Sequence, residues 1–534
     1  MNDRKKPLLA ALLCLGAAGL TITAAPALAQ RPRAMAGPPE APKAITKTTG
    51  EWQPKSIAYI KPSNTKADLQ FGSAIALSGD GNTLAVGSVN EDSGAKGING
   101  NQADHSAVDA GAVYIYTRAA NGWKEQAYLK ASNTHKGYQF GNALSLSDDG
   151  NTLAVGSTGE ASSDTGINGD QADTSMDEAG AVYVFTRSGA TWSQQAYVKA
   201  SNTGTPEVGN QFGYSVALSG DGNNLAVGST SEPSAANGVN GDQKNTAAPD
   251  SGAAYVFTRS GSRWRQQAYV KPWNTTVRGQ LFGYSIGLST DGSTMAVGAF
   301  DEQGGRGALY IFNRTGSAWS QQTRLQGSNE EAQDSIGCAL AISGDGNTVV
   351  GGAFDEDAIL SGVIGPHDGE HDEASDDSAG TAYVFVRKDG HWSQQAILKA
   401  FNTRVNDQFG WALAMSHDGN TIAVGAHLED SGAKGINGDQ ADASAEDSGA
   451  VYIYTRTGSE WQYENGIRSV WRPAAYVKAS NPQPAAEFGI SVALSGDGKE
   501  LAVGAFKEKS DAKGVNGNQA DRSLENAGAA YVYY

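Results

Sequence analysis

Short apolar runs separated by Gly, Asp and Asn recur along this chain, and their spacing predicts strands. In Val113-Tyr114-Ile115-Tyr116 and its copies, β-branched and aromatic residues fill successive positions, as in a strand buried on both faces. DGN between two such runs is a hairpin signal, because Gly and Asn accept positive φ. Helical periodicity is absent beyond the first residues. An FG pair precedes a strand at Phe71, Phe140, Phe212, Phe282, Phe409 and Phe488, with Ile336-Gly337 as a variant. The seven starts are 69, 72, 70, 54, 73 and 79 residues apart. Each opens the same unit: a strand such as SAIALS, a turn such as GDGN, a strand such as TLAVGS and a long polar loop. A third strand such as GAVYIYTR and a fourth ending in a form such as QQAYVKASN complete it.

Four antiparallel strands repeated seven times predict an all-β, seven-bladed β-propeller with one four-stranded sheet per blade. The phase of the repeat predicts how the ring closes. Trp52 to Asn64 matches the fourth strand of the unit, and Ala529 to Tyr534 matches the third. The last blade therefore lacks an outer strand, and the N-terminus supplies a spare one that would remove an open edge. An open solenoid of seven units would leave that strand unexplained.

Composition alters this picture at the N-terminus. Arg4, Lys5 and Lys6 precede an apolar run from Pro7 to Ala25, and Ala27-Leu28-Ala29 follows as a cleavage site. Residues 1–29 are read as an export signal, 30–50 as a flexible lead-in rich in Pro and Ala, and 51–534 as the propeller. No membrane span is expected after cleavage. Cys338 is then the only thiol, so no internal disulfide is available. The net charge of −17 argues against nucleic acid or an anionic lipid surface as the main partner. The 68 glycines fit a chain punctuated by tight turns.

The FG pair, the VG[SA] ending the second strand and the GAVY third strand resemble FG-GAP repeats, which build the seven-bladed head of integrin α subunits. The resemblance spans residues 51–534. It implies a binding face at the long-loop end. The signal predicts an exported protein, periplasmic, secreted or at the cell surface, and a monomeric ring is expected. The family's calcium loops carry D-x-D-x-D-G between the first two strands. Here that place holds only a tight turn such as Ser78-Gly79-Asp80-Gly81, and one Asp cannot supply the six to eight oxygens calcium takes.

Strand order puts the long loops and the blade-to-blade leads at one end and the GDGN turns at the other. The long loops are acidic, most of all the second and the fifth. Five loops share [IV]-N-G-[DN]-Q-x-[DN]. The residues are Asn99, Asn101, Asp104; Asn168, Asp170, Asp173; Asn240, Asp242, Asn245; Asn437, Asp439, Asp442; and Asn516, Asn518, Asp521. Oxygens at this spacing around a Gly would suit calcium, with Asn168, Asp170, Asp173, Asn437, Asp439 and Asp442 as the ligand candidates. The same residues also form Asx-turns bonded to their own backbone. Every copy places Glu four residues after the second-strand Gly: Glu91, Glu160, Glu232, Glu302, Glu356, Glu429 and Glu508. They are binding candidates, with a structural alternative in pairing with Lys61, Lys130, Lys199, Lys271, Lys399 and Lys478, which end fourth strands. His367 and His371 in the fifth loop have transition-metal spacing in an acidic insertion. Trp123, Trp192, Trp264, Trp319, Trp392 and Trp461 recur in the fourth strand and read as blade packing. Trp273, Trp411 and Trp471 fall outside that rhythm and are candidates for a specific contact.

No nucleophile elbow, phosphate loop or zinc-protease helix appears. The expected function is non-catalytic binding or adhesion, to a protein or a glycan, through the long acidic loops, with calcium as the ion that would order them. A polysaccharide hydrolase or lyase with a carboxylate pair, and a structural surface module, are the other classes in play.

Overall fold

The computed structural model describes residues 48–534 except 206–207, 276–278, 329–333, 358–359, 366–377, 457–461 and 465–466. The expected leader and most of the lead-in lie outside the described residues, as do His367, His371 and Trp461.

Seven antiparallel sheets form the blades of a propeller. Blade 1 consists of Phe71–Leu77, Thr83–Ser88, Ala112–Ala119 and Gly122–Leu129, paired in that order. The first strand of each blade is innermost, since first strands of neighbouring blades contact one another. The innermost strands of blades 2 to 7 begin at Leu144, Phe212, Phe282, Leu340, Phe409 and Ser491. Blade 5 has a fifth strand, Val363–Ile364, on its outer edge. The same contact is a single bridge in blades 1, 2, 3, 6 and 7, as in Ile98 to Leu129. In blade 4 the long loop shrinks to residues 300–307, where Gln303, Gly304 and Gly305 take positive φ in a tight turn.

The ring closes through the N-terminus. Ile57–Ile60 pairs antiparallel with Ala529–Tyr533 and supplies the outer strand of blade 7. Lys55 and Ser56 donate their N–H groups to Tyr534 O, and Tyr534 N returns one to Ser56 O.

The apolar core is divided among the seams between blades. Seven clusters of buried side chains each draw on two neighbouring sheets. One joins Ala85, Val113 and Ile115 of blade 1 to Leu153, Val155 and Tyr183 of blade 2. A third strand with neighbours on both faces has no solvent side, which is why its apolar residues do not alternate with polar ones. The two glycines of the repeat mark where blades touch. A Cβ on Gly87, in the second strand, would lie 2.3 Å from Gly141 O of the next blade's FG pair. The same clash recurs at Gly156, Gly228, Gly298, Gly352, Gly425 and Gly504, so backbone approach fixes glycine there.

The turn end is tied by a closed ring of backbone hydrogen bonds. Gly496 N donates to Gly79 O, His417 N to Gly496 O, Gly344 N to His417 O and Thr290 N to Gly344 O. Gly220 N donates to Thr290 O, Asp148 N to Gly220 O and Asp80 N to Asp148 O; all seven are 2.8–2.9 Å. Glycine fills this place in four blades, which leaves room for the side chains of Asp148, Thr290 and His417. His417 Nε2 lies 3.4 Å from Asp148 Oδ1.

Candidate functional site

The seven repeated glutamates form buried ion pairs. Glu91, Glu160, Glu232, Glu429 and Glu508 have no exposed surface and face Lys130, Lys199, Lys271, Lys478 and Lys61 at 2.6–3.0 Å. Glu356 pairs with Lys399 in the same way. In blade 4, where no lysine ends the fourth strand, Arg324 Nε reaches Glu302 Oε1 at 3.0 Å. Burial pulls the Lys199 ammonium below the usual lysine range, and Glu160 opposes that shift.

The remaining oxygens of Glu160 are also occupied. Asn133 Nδ2 donates to Oε1 at 3.0 Å, Tyr197 OH to Oε1 at 2.8 Å, and Ser162 N to Oε2 at 3.2 Å. Lys130 and Asn133 are three residues apart. The lysine closes on Glu91 of its own blade and the asparagine on Glu160 of the next. The K-x-x-N segment is thus a staple across a blade seam, repeated by Lys61 with Asn64, Lys399 with Asn402 and Lys478 with Asn481. Carboxylates saturated in this way are held away from any partner at the surface, so their place is in the frame.

The [IV]-N-G-[DN]-Q-x-[DN] loops are built from their own backbone. Asn168 Oδ1 accepts Tyr197 N at 2.9 Å, Asp170 Oδ1 accepts Ala172 N at 2.9 Å, and Asp173 accepts Ser163 N and Ser175 N at 2.7 and 3.0 Å. In blade 6, Asn437 accepts Tyr476 N, Asp439 accepts Ala441 N and Asp442 accepts Ser444 N, at 2.9–3.0 Å. The Asn fixes the loop to the outer strand and the next two residues make Asx-turns. Hydrogen bonds from Ser163 hold the Asp173 carboxyl well below the usual range. Among the described residues, no group of three or more His, Cys, Asp or Glu is arranged to hold a metal. Millimolar calcium and its removal by EDTA are therefore expected to leave the melting temperature within about 1 °C. A saturable rise on adding calcium would show that these oxygens exchange their N–H partners for an ion.

The fourth-strand tryptophans also join blades. Trp192 Nε1 donates to Gln126 Oε1 of the preceding blade at 2.9 Å, and Arg187 stacks on the same indole at 5.3 Å. Trp264, Trp319 and Trp392 repeat this bond with Gln195, Gln267 and Gln322. In blade 6 the role belongs to Trp471, which bonds Gln395 Oε1 at 2.9 Å beneath Arg456. Trp471 is thus the in-rhythm residue and packs the seam. The residues between Trp461 and Trp471, among them the strands Gln462–Glu464 and Ile467–Ser469, lengthen this one turn and displace the apparent phase of the sequence.

Two off-rhythm tryptophans stand elsewhere. Trp273 is 53% exposed at the lead into blade 4. In most blades this place holds a serine bonded to the next loop's glutamine, as in Ser480 to Gln519; the shortened loop of blade 4 has no such glutamine. Trp411 lies on the innermost strand of blade 6 and belongs to an arc of rings. Tyr214 meets Tyr284 with centroids 4.9 Å apart, Tyr284 stacks on Phe300 at 4.8 Å, and Phe300 on Phe354 at 6.1 Å. Phe354 meets Trp411 at 5.1 Å, and Trp411 meets His427 at 4.3 Å. These residues directly follow the FG pair or the end of the second strand, so the arc runs around the long-loop end of the channel from blade 3 to blade 6. Elsewhere the place after the FG or IG pair holds Ser73, Asn142, Cys338 and Ile490. Burial, reinforced by Lys507, pushes the His427 imidazole down to about 3 and keeps it neutral.

Three stretches of the chain match the family model of the FG-GAP repeat: residues 192–257, 392–454 and 471–533. Each starts at a seam tryptophan on an outer strand and ends in the third strand of the next blade. Those three stretches carry FG-GAP repeats, and the seven blades around them match an FG-GAP propeller. No curated protein shows significant similarity to the chain.

Within the propeller, one acid sits apart from the staples. Asp407 is buried in the lead to blade 6, and desolvation, with Glu429 nearby, raises its carboxyl to about 8. A raised acid keeps its proton in the fold and loses it in the unfolded chain, so stability falls as pH rises from about 4 through 8. Asp407→Asn removes that loss. The variant should match the parent near pH 4 and exceed it by on the order of 4 kcal/mol at pH 8, read from urea melts at the two pH values.

Proposed function

We propose that this chain is an exported, non-catalytic binding propeller that engages a surface-bound partner, protein or glycan, through its long-loop end. The observation that carries the reading is the aromatic arc. The turn end is tied by a uniform backbone ring, and the repeated glutamates and loop carboxylates are spent on the frame. Against that frame the arc breaks the repeat in four neighbouring blades, at the end where the loops gather. Partly exposed aromatic groups on a rigid support give contact area at low entropic cost. The acidic loops around them would steer encounter. Export rests on the basic and apolar segments preceding Ala29.

The test is retention of the purified protein on cell envelopes of the producing organism. Trp411→Ser and Tyr284→Ser, which place the residue found in blade 1, should reduce retention about tenfold. Asp221→Ala and Asp345→Ala, in turns at the opposite end, should leave it unchanged. Loss confined to the turn-end variants would overturn the reading.

A further inference from the structure

The arc narrows the kind of ligand, on the reading of the long-loop end as the binding face. The repeat does not demand an aromatic residue after the FG pair: Ser73 and Asn142 hold that place in blades 1 and 2, whose seams are otherwise built alike. Tyr214, Tyr284, Phe300 and Trp411 are each partly exposed, and Phe354 and His427 back them from within. Two carboxylates accompany the rings. Asp301 follows Phe300, and Asp355 follows Phe354; the latter accepts hydrogen bonds from Ser335 Oγ at 3.2 Å and Ser378 Oγ at 3.5 Å.

Positive charge at the arc is cancelled, and carboxylates remain. Burial keeps His427 uncharged, and Lys507 is paired with Glu487, 4.0 Å from His427. The Asp355 carboxyl is raised only to about 6 and so is ionised at neutral pH. A ligand that fits must offer apolar faces to stacked rings and hydroxyl groups to carboxylate and serine oxygens, with no negative charge of its own.

The long loop is shortened over blade 4. There it is residues 300–307, where blade 1 has 89–111 and blade 3 has 230–252. On that blade the aromatic surface has both an inner part, Tyr284 and Phe300, and an outer one, Trp273, which stands exposed where five of the other leads have serine and one has Phe401. An extended ligand could follow that sector from rim to axis.

We propose that the arc of Tyr214, Tyr284, Phe300 and Trp411, with Asp301 and Asp355 as hydroxyl acceptors, is a stacking site for neutral hexopyranose units of a polysaccharide. Trp273 is its outer contact. Aromatic faces pack the C–H faces of pyranose rings, while carboxylates take paired hydroxyls, so both halves of the site are used.

The experiment titrates the full chain with cellohexaose, laminarihexaose and chitohexaose, and with decalysine as a cationic competitor. Binding is read by tryptophan fluorescence and calorimetry. At least one hexasaccharide should bind saturably. Trp411→Ser and Tyr284→Ser should each weaken it about tenfold, with cooperative melting retained. Trp273→Ser should weaken the hexasaccharide and spare the corresponding disaccharide. Binding of none of the three, binding indifferent to the arc variants, or binding of decalysine alone would each overturn the saccharide assignment. The two readings separate cleanly. If no hexasaccharide binds while envelope retention still depends on Trp411 and Tyr284, the long-loop face binds something else. If retention is also indifferent to them, the binding reading itself fails.

Discussion

A chain lacking residues 48–61 is expected to lose cooperative unfolding altogether. Ala58, Tyr59, Ile60 and Lys61 are fully buried between blade 7 and its neighbours. Burial of a large apolar side chain contributes about 1.5–3 kcal/mol, so Tyr59 and Ile60 with their surroundings supply about 5 kcal/mol. That is comparable with the whole stability of many domains, about 5–15 kcal/mol. The deletion also strips Glu508 of Lys61 and leaves the strand Ala529–Tyr533 as an open edge, an invitation to aggregate. Returning the segment after Tyr534 should restore the fold. Tyr534 already bonds Lys55 and Ser56, so a short turn there would reproduce the link between third and fourth strands that other blades have. Light scattering and a thermal melt on the deleted and relocated chains read both outcomes. A deleted chain that melts like the parent would show that the ring does not depend on this strand.

Replacing Glu160 by Ala should cost on the order of 3–5 kcal/mol, because it abandons a buried ammonium. Lys199 Nζ, Asn133 Nδ2, Tyr197 OH and Ser162 N would lose their acceptor together. The charge has no solvent to turn to, since the lysine side chain is almost wholly enclosed. Glu160→Gln keeps the acceptor for Asn133 and should cost less than the alanine change. The double variant Glu160→Gln with Lys199→Met should recover part of the loss, since both charges are then gone. Urea melts provide the comparison. A Glu160→Ala protein within about 1 kcal/mol of the parent would place the pair at a hydrated surface instead.

The repeat made the architecture readable. The blade count, the strand order and the spare N-terminal strand followed from the recurrence and phase of FG, VG[SA] and GAVY, because each blade must build the same seams. The seven glutamates were visible as a regularity. Their pairing with the lysines that end the fourth strands was one of the readings open from the sequence, and the structure shows those pairs. The staple across the seam was not legible, because the asparagine three residues after each lysine reaches the glutamate of the next blade only once the ring is built. Trp471 was misplaced for a related reason. The lengthened turn after Arg456 moves it away from the usual interval, and only its bond to Gln395 shows its role.

The aromatic arc was the least legible part. Its members come from two places per blade and from four blades, and each alone looks like a core residue. Trp411 stood out by residue type, whereas Phe300 and Phe354 join it through ring contacts made within blade 4 and across the seams to blades 5 and 6. The signal that could have found them is departure from the repeat. The residue after the FG pair is small or polar in blades 1 and 2 and a large aromatic in blades 3, 4 and 6. In a repeat protein the frame shows as sameness, and a binding site shows as local difference.

Hydroxyl-radical footprinting of the protein free and held on its envelope target tests the account most directly. Protection at Tyr214, Tyr284, Phe300 and Trp411, with His417 and the turn end unchanged, is the predicted pattern. Protection at the turn end, with the four aromatics as reactive bound as free, would contradict it.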